Sequence, residues 1–406
     1  MTTLNPPSQT PMRQLVWLAL ALSTGAALSL GITRFSYGLL LPAMRADLGW
    51  SYTLAGAMNT VNALGYLLGA LVTPRLLQHF GASRVLLIGA VLASVFMGLS
   101  GFFTATAALL LQRLFAGVAS ALVFIAGGLL AARLGALQPA QGGLLIGLYY
   151  GGTGFGIVLS ALMVPAVLEV ASAQPNGWAW AWWALALACG AVTALLWWPA
   201  RALLHLAPST PAAGARWGGF TWRPFAFALA AYAMFGVGYI GYMTFVIALL
   251  REQGASGVAV TVFYALLGVA VLASPRIWAG LLDRHKGGQV LALLNALLGL
   301  ATLLPALTSA WPVILASGVL FGAVFLSLVA STTTLVRHNL PPAAWAAGIS
   351  AFTIVFAFGQ MVGPTIVGWI ADGPGGLARG LVFSACALWI GAALAWRQRA
   401  LAQTLT

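Results

Sequence analysis

Apolar residues in this chain neither alternate nor recur as a stripe; they run on for whole segments. Residues 15–33, 53–73 and 179–199 contain no Asp, Glu, Lys or Arg. Each is about 20 residues long, enough to cross roughly 30 Å of hydrocarbon as a helix. Inside a bilayer every backbone amide must be paired within the structure, which leaves helices or a closed barrel. Barrel strands would alternate apolar and polar positions, so the continuous runs predict helices. Twelve spans are expected, at 15–43, 53–73, 85–104, 107–132, 141–168, 178–199, 223–249, 257–281, 288–308, 311–336, 344–370 and 377–396. Residues 85–132 hold a single charge, Arg113, and are too long for one crossing, so a tight turn is placed near Thr104–Thr106.

The one long interruption, rich in Pro, Ala, Gly and Arg, divides the chain. It gives an N-terminal six-helix bundle (1–199), a cytoplasmic linker (200–222) and a C-terminal six-helix bundle (223–406). The halves echo each other. Thr73-Pro74-Arg75-Leu76 is answered by Ser274-Pro275-Arg276-Ile277, Leu114-Phe115 with Gly117 by Leu320-Phe321-Gly322, and Arg133 by Arg337. Weak parallel repeats at half the chain length are the trace of duplicated transporter halves.

Composition supports the membrane reading. Residues of the AVILMFWYC set make up 61% of 406 positions and charged residues only 6%, too few to coat a soluble surface, where about 25% is usual. The net charge of +13 is no nucleic-acid signal, because the basic residues sit in short loops beside spans. With the N-terminus cytoplasmic, thirteen of them fall inside and three outside, while four of the five acids fall outside. That split predicts an inner (plasma) membrane protein with both termini cytoplasmic. Trp178, Trp180, Trp182 and Trp183 against Trp197 and Trp198 are read as interfacial belts of the sixth span. The polar leader before residue 15 precedes an apolar stretch too long for a signal peptide, so an uncleaved first span is expected. Cys189 and Cys386 both lie in apolar runs, which argues against a disulfide. With no catalytic constellation, metal-ligand set or P-loop, no enzyme and no cofactor is expected; the energy source is a gradient.

Several motifs resemble the major facilitator superfamily. Gly280-Leu281-Leu282-Asp283-Arg284-His285-Lys286-Gly287 is close to its inner-gate motif, while the corresponding stretch from Gly69 to Arg84, including Arg75, has Thr73 and Pro74 where the acid is expected. Leu111-Gln112-Arg113 with Gly117 and Ala121 resembles its buried-Arg motif. Gly147, Gly151, Gly152, Gly154 and Gly156 resemble the antiporter motif without its proline, and Gly359-Gln360-Met361-Val362-Gly363-Pro364 is better formed. More narrowly, Gly31-Ile32-Thr33-Arg34-Phe35-Ser36-Tyr37-Gly38, Leu41-Pro42-Ala43-Met44 and Gly65-Tyr66-Leu67-Leu68-Gly69 look like the YbfB/YjiJ branch. The resemblance implies an all-α integral membrane fold of two pseudo-symmetric six-helix bundles and a transporter working by rocking. It implies a gate formed by Arg75, Arg84, Gly280, Asp283 and Arg284, and a cavity lined by spans one, four, seven and ten.

Charge inside spans is the sharpest chemical clue. A charged Arg at the bilayer centre costs about 2.5–3.5 kcal/mol on insertion scales, so it faces a cavity or a partner. Arg34 and Arg113 are such residues, and no Asp or Glu lies in the middle of a span to neutralise them. They predict a positive site for a small organic anion, a carboxylate gripped by a guanidinium. Arg113 has a second reading, as a brace donating to the backbone of the first span. Tyr37, Asn59, Asn62, Tyr149, Tyr150, Tyr239, Tyr242 and Gln360 are expected to select the substrate by shape and hydrogen bonding, with interhelical bonding as their alternative role. The expected partners are a small-molecule substrate, a coupling proton or counter-ion and the lipid bilayer, with no nucleic acid. A carrier of a neutral or zwitterionic metabolite, or a drug exporter, is the rival. A receptor without flux is a third reading, disfavoured because only ten residues follow Trp396.

Overall fold

The computed structural model describes residues 11–138, 141–203, 220–341 and 344–401. The expected linker 200–222 lies mostly outside the described residues. Among those described, the chain is all helix, with twelve helical segments long and apolar enough to cross a membrane. The first span is composite: α1 (Met12–Ala26), a π-helical segment (Ala27–Phe35) and α2 (Tyr37–Leu48). There follow α3 (Tyr52–Phe80), α4 (Ala82–Leu99), α5 (Thr106–Ala136), α6 (Gly142–Val170) and α7 (Trp178–Ala202). The second series is α8 (Ala226–Glu252), α9 (Gly257–Arg284), α10 (Gln289–Leu307), α11 (Trp311–Asn339), α12 (Trp345–Ala371) and α13 (Gly376–Trp396). The turn expected near Thr104–Thr106 is there, between the short 3-10 helix Ser100–Phe102 and α5.

Helices stop where the sequence supplies residues that tolerate a reversal. Gly49 ends the first span at φ +65° with its N–H on the Arg45 carbonyl, and Gly254 at φ +87° follows α8. A side chain would strain either position. Pro42, Pro74, Pro165, Pro199, Pro275, Pro305 and Pro364 all lie within helices, a placement membrane helices tolerate because neighbours serve the freed carbonyls. The exterior is apolar: Leu187, Leu71 and Trp197 are 77%, 57% and 52% exposed.

Packing resolves the chain into two compact units. One comprises Met1–Gly49, Val61–Ser209 and Ser256–Gly268, the other Trp50–Thr60, Thr210–Ala255 and Val269–Thr406. The first turns of α3 thus cluster with α8 and α12, and the first turns of α9 with the first span and α6. In the first unit α4 packs on α5 and α7, and α6 on α1 and the π segment. In the second, α13 packs on α8 and α10, and α12 on α8.

Glycines of α6 make its contact with α1 and the π segment close. A Cβ on Gly152 would stand 1.8 Å from the Ser23 carbonyl oxygen, and one on Gly156 would stand 2.3 Å from that of Ala27. The four-residue spacing on both helices puts backbone against backbone over successive turns. In the second unit Gly359 and Gly363 do the same against the Ala233 and Val237 carbonyls, at 2.3 and 2.6 Å.

Candidate functional site

The chemistry of the first unit centres on the π segment. A π-helix is rare and is found mostly as short stretches at functional sites. Side chains from α5, α6 and α9, together with the local Thr33 and Ser36, donate to its carbonyls here. Thr33 Oγ1 donates to the Ser29 carbonyl, Ser120 Oγ donates to the same carbonyl at 2.5 Å, and Ser160 Oγ reaches Gly31 O at 3.4 Å. Ser36 Oγ donates to Ile32 O at 2.5 Å, Arg113 Nη1 to Thr33 O at 2.7 Å, and Tyr264 Oη to Phe35 O at 2.8 Å. Small residues make room: a Cβ on Gly31 would lie 2.6 Å from the Gly156 Cα.

Arg34 ends this segment. It is 3% exposed, and its Nε and Nη2 find no hydrogen-bond partner among the described residues. Its guanidinium carbon lies 5.8 Å from the ring centroid of Tyr66, on α3, a cation–π approach that attracts without satisfying N–H donors. Because α2 continues to Leu48, five residues beyond the expected end, Arg34 lies about 20 Å from that end along the axis at ~1.5 Å per residue. That is deeper than the sequence suggests.

Arg113 is held differently. Besides its bond to Thr33 O, its guanidinium carbon stands 5.2 Å from the Tyr37 ring centroid and 5.7 Å from that of Trp182. Asn62 Nδ2 donates to the Arg113 carbonyl at 3.0 Å. Arg113 therefore sits at the level of Arg34, one carbonyl away, as a brace of the first span. Trp182 is a correction to the interfacial reading: it and Trp178 are buried, at 0% and 1% exposure, whereas Trp180 is 49% exposed. Tyr149 is also structural, its hydroxyl donating to Phe124 O at 2.9 Å while filling the space at Gly127. Tyr150 stands beside it, ring centroids 5.1 Å apart, and is partly exposed.

The other predicted residues fall in the second unit. Asn59 Nδ2 donates to Thr244 Oγ1 at 2.8 Å. Tyr239 Oη donates to Gln360 Oε1 at 2.5 Å, its ring stacked on Phe235, Phe325 and Phe356 at centroid distances of 4.8, 5.2 and 5.5 Å. Tyr242 bonds Ser317 at 2.7 Å and stacks on Phe321 at 4.1 Å. The structure thus gathers Arg34, Tyr37, Asn62, Arg113, Tyr149 and Tyr150 in one unit, and Asn59, Tyr239, Tyr242 and Gln360 in the other. The expected gate residues Arg75, Arg84, Gly280, Asp283 and Arg284 are all exposed.

Sequence reasoning left several residues out of the site. Tyr66 had a signal, its helical spacing from Asn59 and Asn62. Tyr264, Thr244 and Trp182 had none, since each acts across a distance that only folding closes.

Residues 26–396 match a family model described as the uncharacterised MFS-type transporter YbfB. No curated protein sequence matches the chain. Among solved structures it is similar to a bacterial homologue of the human lysosomal transporter Spinster in an inward-facing, unoccupied conformation. That likeness has 17% identity and a TM-score of 0.73, covering 96% of this chain and 97% of that one. The nucleoside transporter NupG is similar at 14% identity and a TM-score of 0.70, covering 94% and 98%. The human organic anion transporter TETRAN is similar at 15% identity and a TM-score of 0.61, covering 95% and 100%. At these identities the likeness concerns the fold.

Proposed function

Since the chain belongs to the YbfB-type family of major facilitator transporters, we propose that it carries a small organic anion, a carboxylate, by alternating access, with Arg34 as the anchor. The observation that supports this is the buried Arg34 guanidinium with Nε and Nη2 unpartnered among the described residues. A buried cation left without a partner is strongly destabilising, and two adjacent N–H donors are the geometry a carboxylate accepts bidentately. Arg113 adds positive potential from one carbonyl away while its own guanidinium braces the π segment. Tyr66, Asn62 and Tyr150 supply shape around that anchor, and Tyr239, Asn59 and Gln360 are proposed as selectors in the second unit. Arg75, Arg84, Gly280, Asp283 and Arg284 are proposed as the gate on the side of the termini, and that side is proposed as the cytoplasmic one on the split of basic and acidic residues. The cargoes named for NupG and TETRAN differ, so fold likeness does not choose between a nucleoside and an anion.

A thermal-shift screen of the purified protein against carboxylates, amino acids, nucleosides, sugars and organic cations tests this, run in parallel on Arg34→Gln. A ligand at about 100 times its Kd adds about 2.7 kcal/mol to the folded state. Carboxylates are expected to stabilise the parent and to lose that effect in Arg34→Gln. A nucleoside or other neutral compound that shifts both proteins equally, with anions inert, would replace the anion reading.

A further inference from the structure

Two of the chain's five acids serve one helix end. Asp372, the residue after α12, accepts hydrogen bonds from the Tyr52 amide at 2.6 Å, the Thr53 amide at 2.9 Å and Thr53 Oγ1 at 2.6 Å. Glu252, the last residue of α8, accepts the Tyr52 hydroxyl. The first turn of a helix has amide donors with no partner within the helix and carries the positive end of its dipole. An N-cap normally serves them from the same strand of chain; here the carboxylate comes from 319 and 320 residues away.

The contact continues inward. A Cβ on Gly56 would stand 2.2 Å from the Pro364 carbonyl, and one on Gly368 2.2 Å from that of Tyr52. Thr60 Oγ1 donates to Met361 O at 2.6 Å and meets Thr365 Oγ1 at 2.8 Å. Residues 50–60 therefore cluster with α8 and α12, while the same helix from Val61 belongs to the other unit. Counting spans places the start of α3 and the ends of α8 and α12 at one membrane face, opposite the termini.

We infer that Asp372 and Glu252 are a latch of the transport cycle, positioning residues that hold the first turns of α3 and must release them before the face opposite the termini opens. Transport by alternating access has to strip one part of α3 from its neighbours, and the two parts are held by unlike forces. From Gly65 onward the helix is packed backbone to backbone on α5, where a Cβ on Gly65 would lie 1.9 Å from Leu114 O and one on Gly117 2.1 Å from Asn62 O. Such contacts have no substitute in water. The first turn is held by discrete charge-assisted bonds, strong when made and replaceable by water when broken, so this is the end that lets go. The inference rests on the transporter assignment and not on the nature of the cargo.

The test uses the full chain in nanodiscs, with Cys386→Ala as background because Cys386 is exposed and Cys189 buried. Ala55→Cys, fully buried one turn inside the latch, reports by its labelling rate with a membrane-impermeant maleimide. Asp372→Asn with Glu252→Gln is expected to raise that rate at least about tenfold by shifting the population towards the released state. Ala161→Cys, fully buried in α6, stays protected. A rate within about twofold of the reporter parent overturns the latch, as does equal labelling of Ala161→Cys, which would mean general loosening. If the double variant does not fold, Thr53→Val, which deletes the Thr53 hydroxyl donor to Asp372, is expected to raise the rate about threefold, and an unchanged rate overturns the proposal equally.

Discussion

Arg34 and Arg113 stand one carbonyl apart in the first unit and are expected to respond in opposite directions to loss of charge. Arg34 is buried with two nitrogens unpartnered among the described residues, so the folded protein bears a desolvation penalty that Gln does not. Arg34→Gln is predicted to raise the ligand-free melting temperature in nanodiscs, by the equivalent of about 1–3 kcal/mol. Arg113 donates to Thr33 O and lies between the rings of Tyr37 and Trp182. Arg113→Met abandons a carbonyl of the π segment and is predicted to lower the melting temperature, by the equivalent of about 1–3 kcal/mol. The same sign for both variants would remove the distinction between anchor and brace. The sequence alone shows two intramembrane arginines at comparable depth; it does not show which carbonyl each one meets, because that depends on how α5 is seated against the first span.

Element by element, the twelve helices were legible because lipid imposes one simple constraint, a continuous apolar run, and the turn at residues 103–105 followed from length alone. The π segment was not legible. Its surrounding set of donors, Ser120, Ser160, Arg113 and Tyr264, lies 80 to 229 residues away from the carbonyls they serve. Trp182 was misplaced for a related reason. Aromatic residues near a span end belong at the interface only when their face of the helix meets lipid, and α7 turns Trp182 towards Arg113. Of the α6 glycines, Gly152 and Gly156 form a close-packing surface while Gly147 does not. Gly152→Ala, which puts a methyl 1.8 Å from Ser23 O, is predicted to destabilise by about 1–3 kcal/mol. Gly147→Ala, with nothing within 4 Å of the added carbon, is predicted to change stability by less than about 0.5 kcal/mol. Melting temperatures of the two variants check the pair, and equal losses would contradict the packing argument.

For the whole molecule, the sequence predicts a charge asymmetry across the membrane and a chain in two halves, while packing groups residues 50–60 with the later helices and 256–268 with the earlier ones. That exchange joins helices far apart in sequence, so composition and repeat spacing carry no sign of it. It also gives α3 two masters, with Asp372 at one end and α5 at the other. The account of transport nevertheless stands or falls on Arg34. The most direct measurement is counterflow of a radiolabelled carboxylate, selected by the stability screen, into proteoliposomes preloaded with the same unlabelled compound, comparing the parent with Arg34→Gln. The account predicts exchange by the parent and a loss of about 100-fold in Arg34→Gln, the scale expected when one partner of a buried charge pair is truncated. Equal exchange by both proteins would contradict it and leave Arg34 as part of the scaffold.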